Sequence, residues 1–377
     1  MRYGMNPHQS ASIVAGHGPR VINGKPSMIN YLDALNGLQL VHEADEATGL
    51  PAAASFKHVS PAGAALAGVV DATAALVWRA GGIDDASLLS AYIRARDADP
   101  RSSFGDVVAL SRPVDLAAAE FLRTVICDAV IAPGFEPGTV GVLSSKRGGG
   151  FLVLEADARR VPPGTERRDV LGVTIEQHRD AVPVATVLPG NGTLDEKTRT
   201  DALLGLVTLR YTQSNSVALV HDGAAIGIGA GQQNRVDCVR LAGAKARTWW
   251  LRRHPLAKDL PTIGGMGRQD HLNWQMRFAG QEMTAAQLTE FQSLFGTEAR
   301  NRYEDVSWRG EWTATLSGVT MSSDGYLPFR DNVEHAAAAG VTTIVEPGGS
   351  TRTSEVVASA DAHGIAHIQT GLRLFHH

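Results

Sequence analysis

Cysteine is almost missing: the 377 residues hold only Cys127 and Cys238, far apart in the chain. That excludes a disulfide framework and a cysteine-based metal cluster, and it makes a reducing, cytoplasmic compartment the simplest expectation. An excess of either charge is missing as well. The formal net charge is −4, without the basic surplus that a nucleic-acid binder shows. An anionic small substrate stays open, because a pocket needs only a few local cations. The opening residues, Met1 to Ser10, are polar and contain Pro7 and His8, unlike a signal peptide. The long apolar stretch from Pro61 to Trp78 is broken by Asp71 and rich in alanine, so it reads as a buried helix and not as a membrane span. Thirteen histidines raise the question of a metal. There is no His-Glu-x-x-His and no Cys-x-x-Cys. The deaminase pairing of His-x-Glu with Pro-Cys-x-x-Cys is also absent, so zinc chemistry is not expected.

The chain is long enough for two or three ordinary domains. Its 44% hydrophobic and 20% charged residues match a globular protein with a sizeable core. Strand-like and helix-like segments alternate, which predicts α/β layers. Pro51 to Phe56 reads as a buried strand, followed by a loop and a helix from about Ala64. Asp115 to Arg123 reads as a helix capped by Asp115. Ala129 to Ala132 reads as a strand closed by Pro133-Gly134. The Pro- and Gly-rich stretch from Asp180 to Gly192 predicts a boundary between two halves, residues 1–190 and 191–377. A helix is expected from about Leu194 toward Arg210. Asp222-Gly223, between Ser216–His221 and Ala224–Ile228, is a strong hairpin signal. A long helix follows from Arg235 to Arg253. The chain closes on helix (Asp331 to Ala339), strand (Thr342 to Val345), helix (Thr351 to Ala362) and strand (Ala366 to Gln369). No short-period repeat is visible.

Several runs carry chemistry. Gly227-Ile228-Gly229-Ala230-Gly231 invites a dinucleotide reading, but the third glycine of that fingerprint falls on Gln232. A glycine-rich turn between strand and helix is the better reading, and its N–H groups could face an anion at the helix start. Lys57-His58 sits where a buried strand meets a Ser-Pro-Ala-Gly loop, a common place for site residues. A surface lysine beside a core histidine is the plainer reading of those two residues alone. The polar run Tyr211 to Val217 either caps a helix or faces a ligand. Ser322 to Asn332 collects an aromatic, a proline and amides, as a pocket for a flat heterocycle would. His376-His377 alone looks like the remnant of a purification tag.

Together these runs resemble, in order, the transformylase half of the bifunctional purine biosynthesis family that formylates AICAR (5-aminoimidazole-4-carboxamide ribonucleotide). The matching runs begin with Arg2-Tyr3-Gly4-Met5-Asn6-Pro7-His8-Gln9, Ala54 to Gly63 around Lys57-His58, Ser102-Ser103-Phe104-Gly105-Asp106 and Ile131 to Gly134. They continue with Tyr211 to Val217, Ile226 to Gln233, Trp249-Trp250-Leu251, Pro328 to Val333 and Arg373-Leu374-Phe375-His376-His377. The family ends in that pentapeptide, so the resemblance overturns the tag reading. Bifunctional members carry a cyclohydrolase domain before the Arg2-Tyr3-Gly4 segment, so either the gene is monofunctional or this is an excised domain.

The resemblance implies an α/β fold of two related cytidine-deaminase-like α/β/α units without zinc. It implies a homodimer with interfacial active sites, 10-formyltetrahydrofolate as co-substrate, and a separate cyclohydrolase acting downstream. Neither nucleic acid nor a membrane is among the expected partners. By resemblance His58 is the base, Lys57 the donor to the oxyanion and Asn215 the amide that orients the formyl group. Arg2, Tyr3 and Arg373 match positions that hold the phosphate. Gly105 and Asp128 match contacts to ribose and base, and Tyr326 matches a ring that packs on the heterocycle, usually phenylalanine. Phe104, Arg235, Asn273, Pro328, Phe329 and Asn332 match the folate pocket. In some members a structural potassium ion lies near the positions of Thr212, Ser214 and Asp324. Two departures, Tyr326-Leu327 for Phe-Phe and Arg101 for a methionine, leave open a formyltransferase for another amine. A hydrolase or deaminase of the same fold, which would need stoichiometric zinc, and a non-catalytic nucleotide binder, against which the retained Lys57-His58 pair counts, are the remaining alternatives.

Overall fold

A computed structural model describes residues 1–14, 16, 18–157, 164–190 and 192–377. Asn191, at the expected boundary between halves, lies outside the described residues. The strands are β1 (Arg20–Asn23), β2 (Ala52–Lys57), β3 (Ser60–Leu66), β4 (Asp106–Leu110), β5 (Cys127–Ala132), β6 (Leu152–Glu155), β7 (Thr165–Val170), β8 (Val173–His178), β9 (Val217–His221), β10 (Ala224–Gly229), β11 (Val319–Ser323), β12 (Val341–Glu346) and β13 (Ala366–Gln369). All except β7 and β8 join one 11-stranded sheet in the order β1-β6-β5-β4-β2-β3-β10-β9-β11-β12-β13. β7 and β8 pair with each other as a separate exposed hairpin.

The order repeats. Outward from the centre run β3, β2, β4, β5, β6 on one side and β10, β9, β11, β12, β13 on the other. Each series starts with a hairpin, takes one antiparallel step, then two parallel steps. β3 and β10 meet antiparallel, with Ala224 opposite Ala65. The join reverses direction, so the β2–β3 turn lies at the end of the sheet where β9 begins and β10 and β11 finish. Parallel steps need crossovers, and helices such as Leu116–Thr124, Asp331–Ala337 and Thr353–Ala362 supply them.

Small residues set how close the helices come. A Cβ on Gly63 of β3 would stand 2.1 Å from the Ala95 carbonyl oxygen, in helix Leu88–Ala98. In the second series a Cβ on Gly227 would stand 2.2 Å from Ala242 O and one on Gly229 2.1 Å from Cys238 O, both in helix Arg235–Leu251. The glycine run therefore serves helix–strand contact. Two amides of the turn that follows are engaged by the polar run, Gly231 N with Gln213 O and Gln232 N with Asn215 O.

The helix expected from Ala64 is instead strand β3, and the apolar stretch to Trp78 divides at Asp71. Alanine favours a helix in isolation, but Ser60–Leu66 is buried on both faces of the sheet and paired with β2 and β10. Tertiary context overrides propensity there. Helix Ala72–Trp78 starts only after Asp71, whose carboxylate accepts from Thr73 N and Ala74 N. Asp115 caps Leu116–Thr124 as expected, and the Asp222-Gly223 hairpin forms. No described helix is long and apolar enough to cross a membrane.

Candidate active site

The β2–β3 turn places Lys57 and His58 at that end of the sheet. Lys57 Nζ donates to Phe104 O at 2.7 Å, while His58 is exposed. His58 and Val59 have φ of 58° and 61°, a region that a β-branched residue such as valine rarely enters. Val59 N donates to Asp33 Oδ1 at 2.6 Å, from the buried side of helix Met28–Thr48. Burial pushes the Asp33 carboxyl above the usual aspartate range, partly offset by the Val59 amide and by neighbouring His58 and Lys57. The second series repeats the device. Gly223 N donates to Asp201 Oδ1 at 2.6 Å, from helix Glu196–Arg210.

A cavity of about 330 Å³ opens beside the turn, lined by Lys57, His58, Ser60, Ser102, Ala230 and Lys245, among others. Lys245 pairs with Asp99 at 3.1 Å. Ser60 Oγ accepts from Gln213 N at 3.4 Å, which joins the Lys57-His58 turn to the polar run Tyr211 to Val217. Asn215 Nδ2 donates to Gln232 O at 3.0 Å, and its Oδ1 accepts from an Arg235 guanidinium nitrogen at 2.9 Å. Arg235 also donates to Ser216 O and pairs with Asp324. The other Asp324 oxygen accepts from Ser214 Oγ at 2.6 Å, Ser216 N at 3.0 Å and Ser216 Oγ at 2.9 Å. The chain end docks on the same group. Leu374 N donates to Asp324 O, Ser214 N to His376 O and His376 N to Ser214 Oγ.

Gly105, with φ of 77°, lies beside Asp128, whose carboxylate would be 3.9 Å from a Cβ at that glycine. Asp128 also accepts from Arg147 at 2.6 Å. Three candidate aromatics stand partly free of the core: Phe104 at 40%, Tyr326 at 49% and Phe329 at 49% exposure. Asn332 is fully buried, and its Nδ2 donates to Phe329 O at 3.0 Å. Among the described residues its Oδ1 has no hydrogen-bond partner, and a buried acceptor left so costs free energy. Pro328 precedes Phe329 and is half-buried.

The remaining candidates stand elsewhere. Arg2 and Tyr3 lie against the start of helix Met28–Thr48, where Arg2 N donates to Pro26 O and Met28 N to Tyr3 O. The Arg2 guanidinium rests 4.6 Å over the Tyr3 ring. Arg373 lines a different cavity of about 530 Å³, with Glu166, Arg168 and Phe375. Asn273 is on helix Arg268–Gly280, where its side chain meets Gln269 at 3.3 Å. Asp33, Lys245 and Arg147 were not anticipated. Asp33 did carry a signal, a lone acid within the otherwise apolar Tyr31 to Leu35.

A model of the AICARFT/IMPCHase bienzyme family matches residues 1–245. The bifunctional purine biosynthesis protein PurH of Roseobacter denitrificans is 30% identical over 389 aligned positions, covering 100% of this chain and 59% of that protein. The protein of the same name from Cereibacter sphaeroides is 31% identical with the same coverage. The chain therefore spans about three fifths of the length of the curated relatives it matches.

Proposed function

The chain belongs to the AICARFT/IMPCHase bienzyme family, and we propose that it is a formyltransferase of purine synthesis. It moves the formyl group of 10-formyltetrahydrofolate to the 5-amino group of AICAR, giving FAICAR and tetrahydrofolate. The observation that carries this reading is the Lys57-His58 turn, joined through Ser60 and Gln213 to the Asn215–Arg235 pair.

The acceptor amine is a weak nucleophile, because its lone pair is delocalised into the ring and carboxamide. Attack on the formyl carbon builds an oxyanion and a cationic nitrogen, so the reaction needs a base, a donor to the oxyanion and fixed orientation. His58 takes the proton from the amine. Lys57, which spends one N–H on Phe104 O, offers the others to the oxyanion and then to the departing folate nitrogen. Asn215 has one Nδ2 hydrogen free of Gln232 to orient the formyl oxygen. Phe104, Tyr326, Pro328 and Phe329 offer faces to two flat rings, and the unpaired Asn332 Oδ1 accepts a donor of the folate heterocycle. Arg235 steadies Asn215 at the folate side. Gly105 leaves room for the sugar beside Asp128, and Arg2, Tyr3 and Arg373 take the phosphate through charge-assisted bonds. Asn273 remains a more distant folate contact.

Arg2 with Tyr3, and Arg373, occupy separate places on one chain. A homodimer with shared sites would bring such groups together. The repeated strand order supports two cytidine-deaminase-like α/β/α units, residues 1–190 and 191–377, working without zinc. A separate cyclohydrolase would draw off FAICAR, in the cytoplasm. The Thr212 and Ser214 hydroxyls donate to Thr208 O and to Asp324, which leaves oxygen lone pairs for a structural potassium ion beside the Asp324 carboxylate. No step is routed through one.

The test mixes protein, AICAR and 10-formyltetrahydrofolate and follows tetrahydrofolate release by absorbance. Lys57→Ala and His58→Ala, each checked for folding, are expected to lose about 10²–10⁴-fold in turnover. Folded wild type that binds AICAR without turning over would overturn the reading and point to another amine or to a binding role.

A further inference from the structure

We propose that Asp33 is a positioning residue for the formyl transfer: its carboxylate holds the β2–β3 turn in the left-handed conformation that presents Lys57 and His58 to the substrates. The inference rests on the formyltransferase reading. Its geometric basis is independent of that reading.

The same device occurs twice in the chain, and the two copies differ in one informative respect. In the second copy the residue bonded to the helix aspartate is Gly223, with φ of 71°, which costs a glycine nothing. In the first copy it is Val59, with φ of 61°, preceded by His58 with φ of 58°. Valine resists that backbone region, so left to itself the turn would relax toward φ < 0. Such a relaxation would re-aim His58 and withdraw Lys57 from Phe104 O. The 2.6 Å bond from Val59 N to Asp33 Oδ1 opposes it. Asp33 sits on helix Met28–Thr48, whose Tyr31, Ala34 and Leu38 are in the main core cluster, so the anchor is itself fixed. Both copies keep the aspartate, but only the catalytic copy lacks the glycine, so there the aspartate alone opposes relaxation of the turn. Asp33 does not line the cavity beside Lys57 and His58, which makes its action indirect.

The test uses the full chain, AICAR and 10-formyltetrahydrofolate, with hydrogen exchange at the Val59 amide as a readout that needs no turnover. In Asp33→Ala, Val59 amide protection is expected to vanish. Its kcat is expected to fall on the order of 10–100-fold, the scale of a misplaced catalytic group, with both KM values within about twofold. Asp33→Asn, whose amide oxygen still accepts, is expected to recover most of the lost kcat. Asp33→Ala combined with Val59→Gly is expected to recover it too, because glycine holds the positive φ unaided. Should Asp33→Ala alone not fold, the double variant supplies the comparison: folded and active supports the proposal, folded and inactive overturns it. Unchanged kcat in Asp33→Ala, a loss confined to KM, or no recovery with Val59→Gly also overturns it. A wild type without turnover sinks the formyltransferase reading alone, and Val59 exchange in Asp33→Ala then decides whether the turn depends on the carboxylate.

Discussion

Arg235 and Asp324 form an ion pair closed to water on both sides, at 6% and 0% exposure. The same guanidinium holds the Asn215 side chain. Asp324→Ala would leave a buried cation without its partner and strip acceptors from Ser214 and Ser216. Breaking such a pair costs about 3–5 kcal/mol. Urea unfolding is expected to show a loss of that size, and a loss below about 1 kcal/mol would mean that the pair is not buried as described.

Two glycines are held by contact and not by turn geometry. Gly63→Ala and Gly229→Ala would each put a methyl 2.1 Å from a helix carbonyl oxygen. Neither backbone atom can step aside without moving its helix, so each is expected to lose about 1–3 kcal/mol or more. Gly81→Ala, with no atom of the described residues within 4 Å of the new Cβ, is the control. Equal urea midpoints for Gly63→Ala and Gly81→Ala would contradict the packing.

Burial lowers the proton affinity of His221 and His376 below the ordinary imidazole value. Both are easier to protonate unfolded, near about 6.5, than folded. As pH falls through about 6.5 the unfolded chain takes up protons first, so stability declines until the lower folded values are passed. Urea midpoints should therefore drop between about pH 7.5 and 5.5. His221→Gln should flatten part of that slope, and an unchanged slope would remove His221 as its source.

Tyr326 stands half exposed where a ring would pack on the heterocycle. Ring–ring contact beyond area burial is worth about 0.5–1.5 kcal/mol, which is about 2–10-fold in affinity. Tyr326→Ala is expected to raise KM for AICAR by that factor, with KM for the folate little changed. The reverse pattern would move Tyr326 to the folate side.

Much of the fold could be read from local signals. Asp115 as a cap, Asp222-Gly223 as a hairpin and Arg235 as a helix start each follow from short-range rules, and each forms. The stretch after Pro61 could not be read that way. Its alanines favour a helix until β2 and β10 are present to pair with, and pairing across the centre is a long-range fact. β7 and β8 escaped because both faces are exposed, which leaves no alternation to detect. At the candidate site, Lys57, His58, Asn215 and Arg235 were legible as motifs; Lys57 and His58 line one cavity, and Asn215 and Arg235 bond each other, with Ser60 and Gln213 linking the two segments. Asp33 showed only as a lone acid in an apolar run; its task could not be read, since its partner is a backbone amide, and a backbone amide has no letter in the sequence.

The central seam has a practical consequence. β3 and β10 meet with Leu66 N bonded to Gly223 O and Ala224 facing Ala65. A chain divided between the two series would leave each fragment with a raw edge of small residues and unpaired backbone groups. Such edges recruit whatever strand is at hand. Fragments of this protein should therefore be expressed together and allowed to reassociate, since each is the other's missing neighbour.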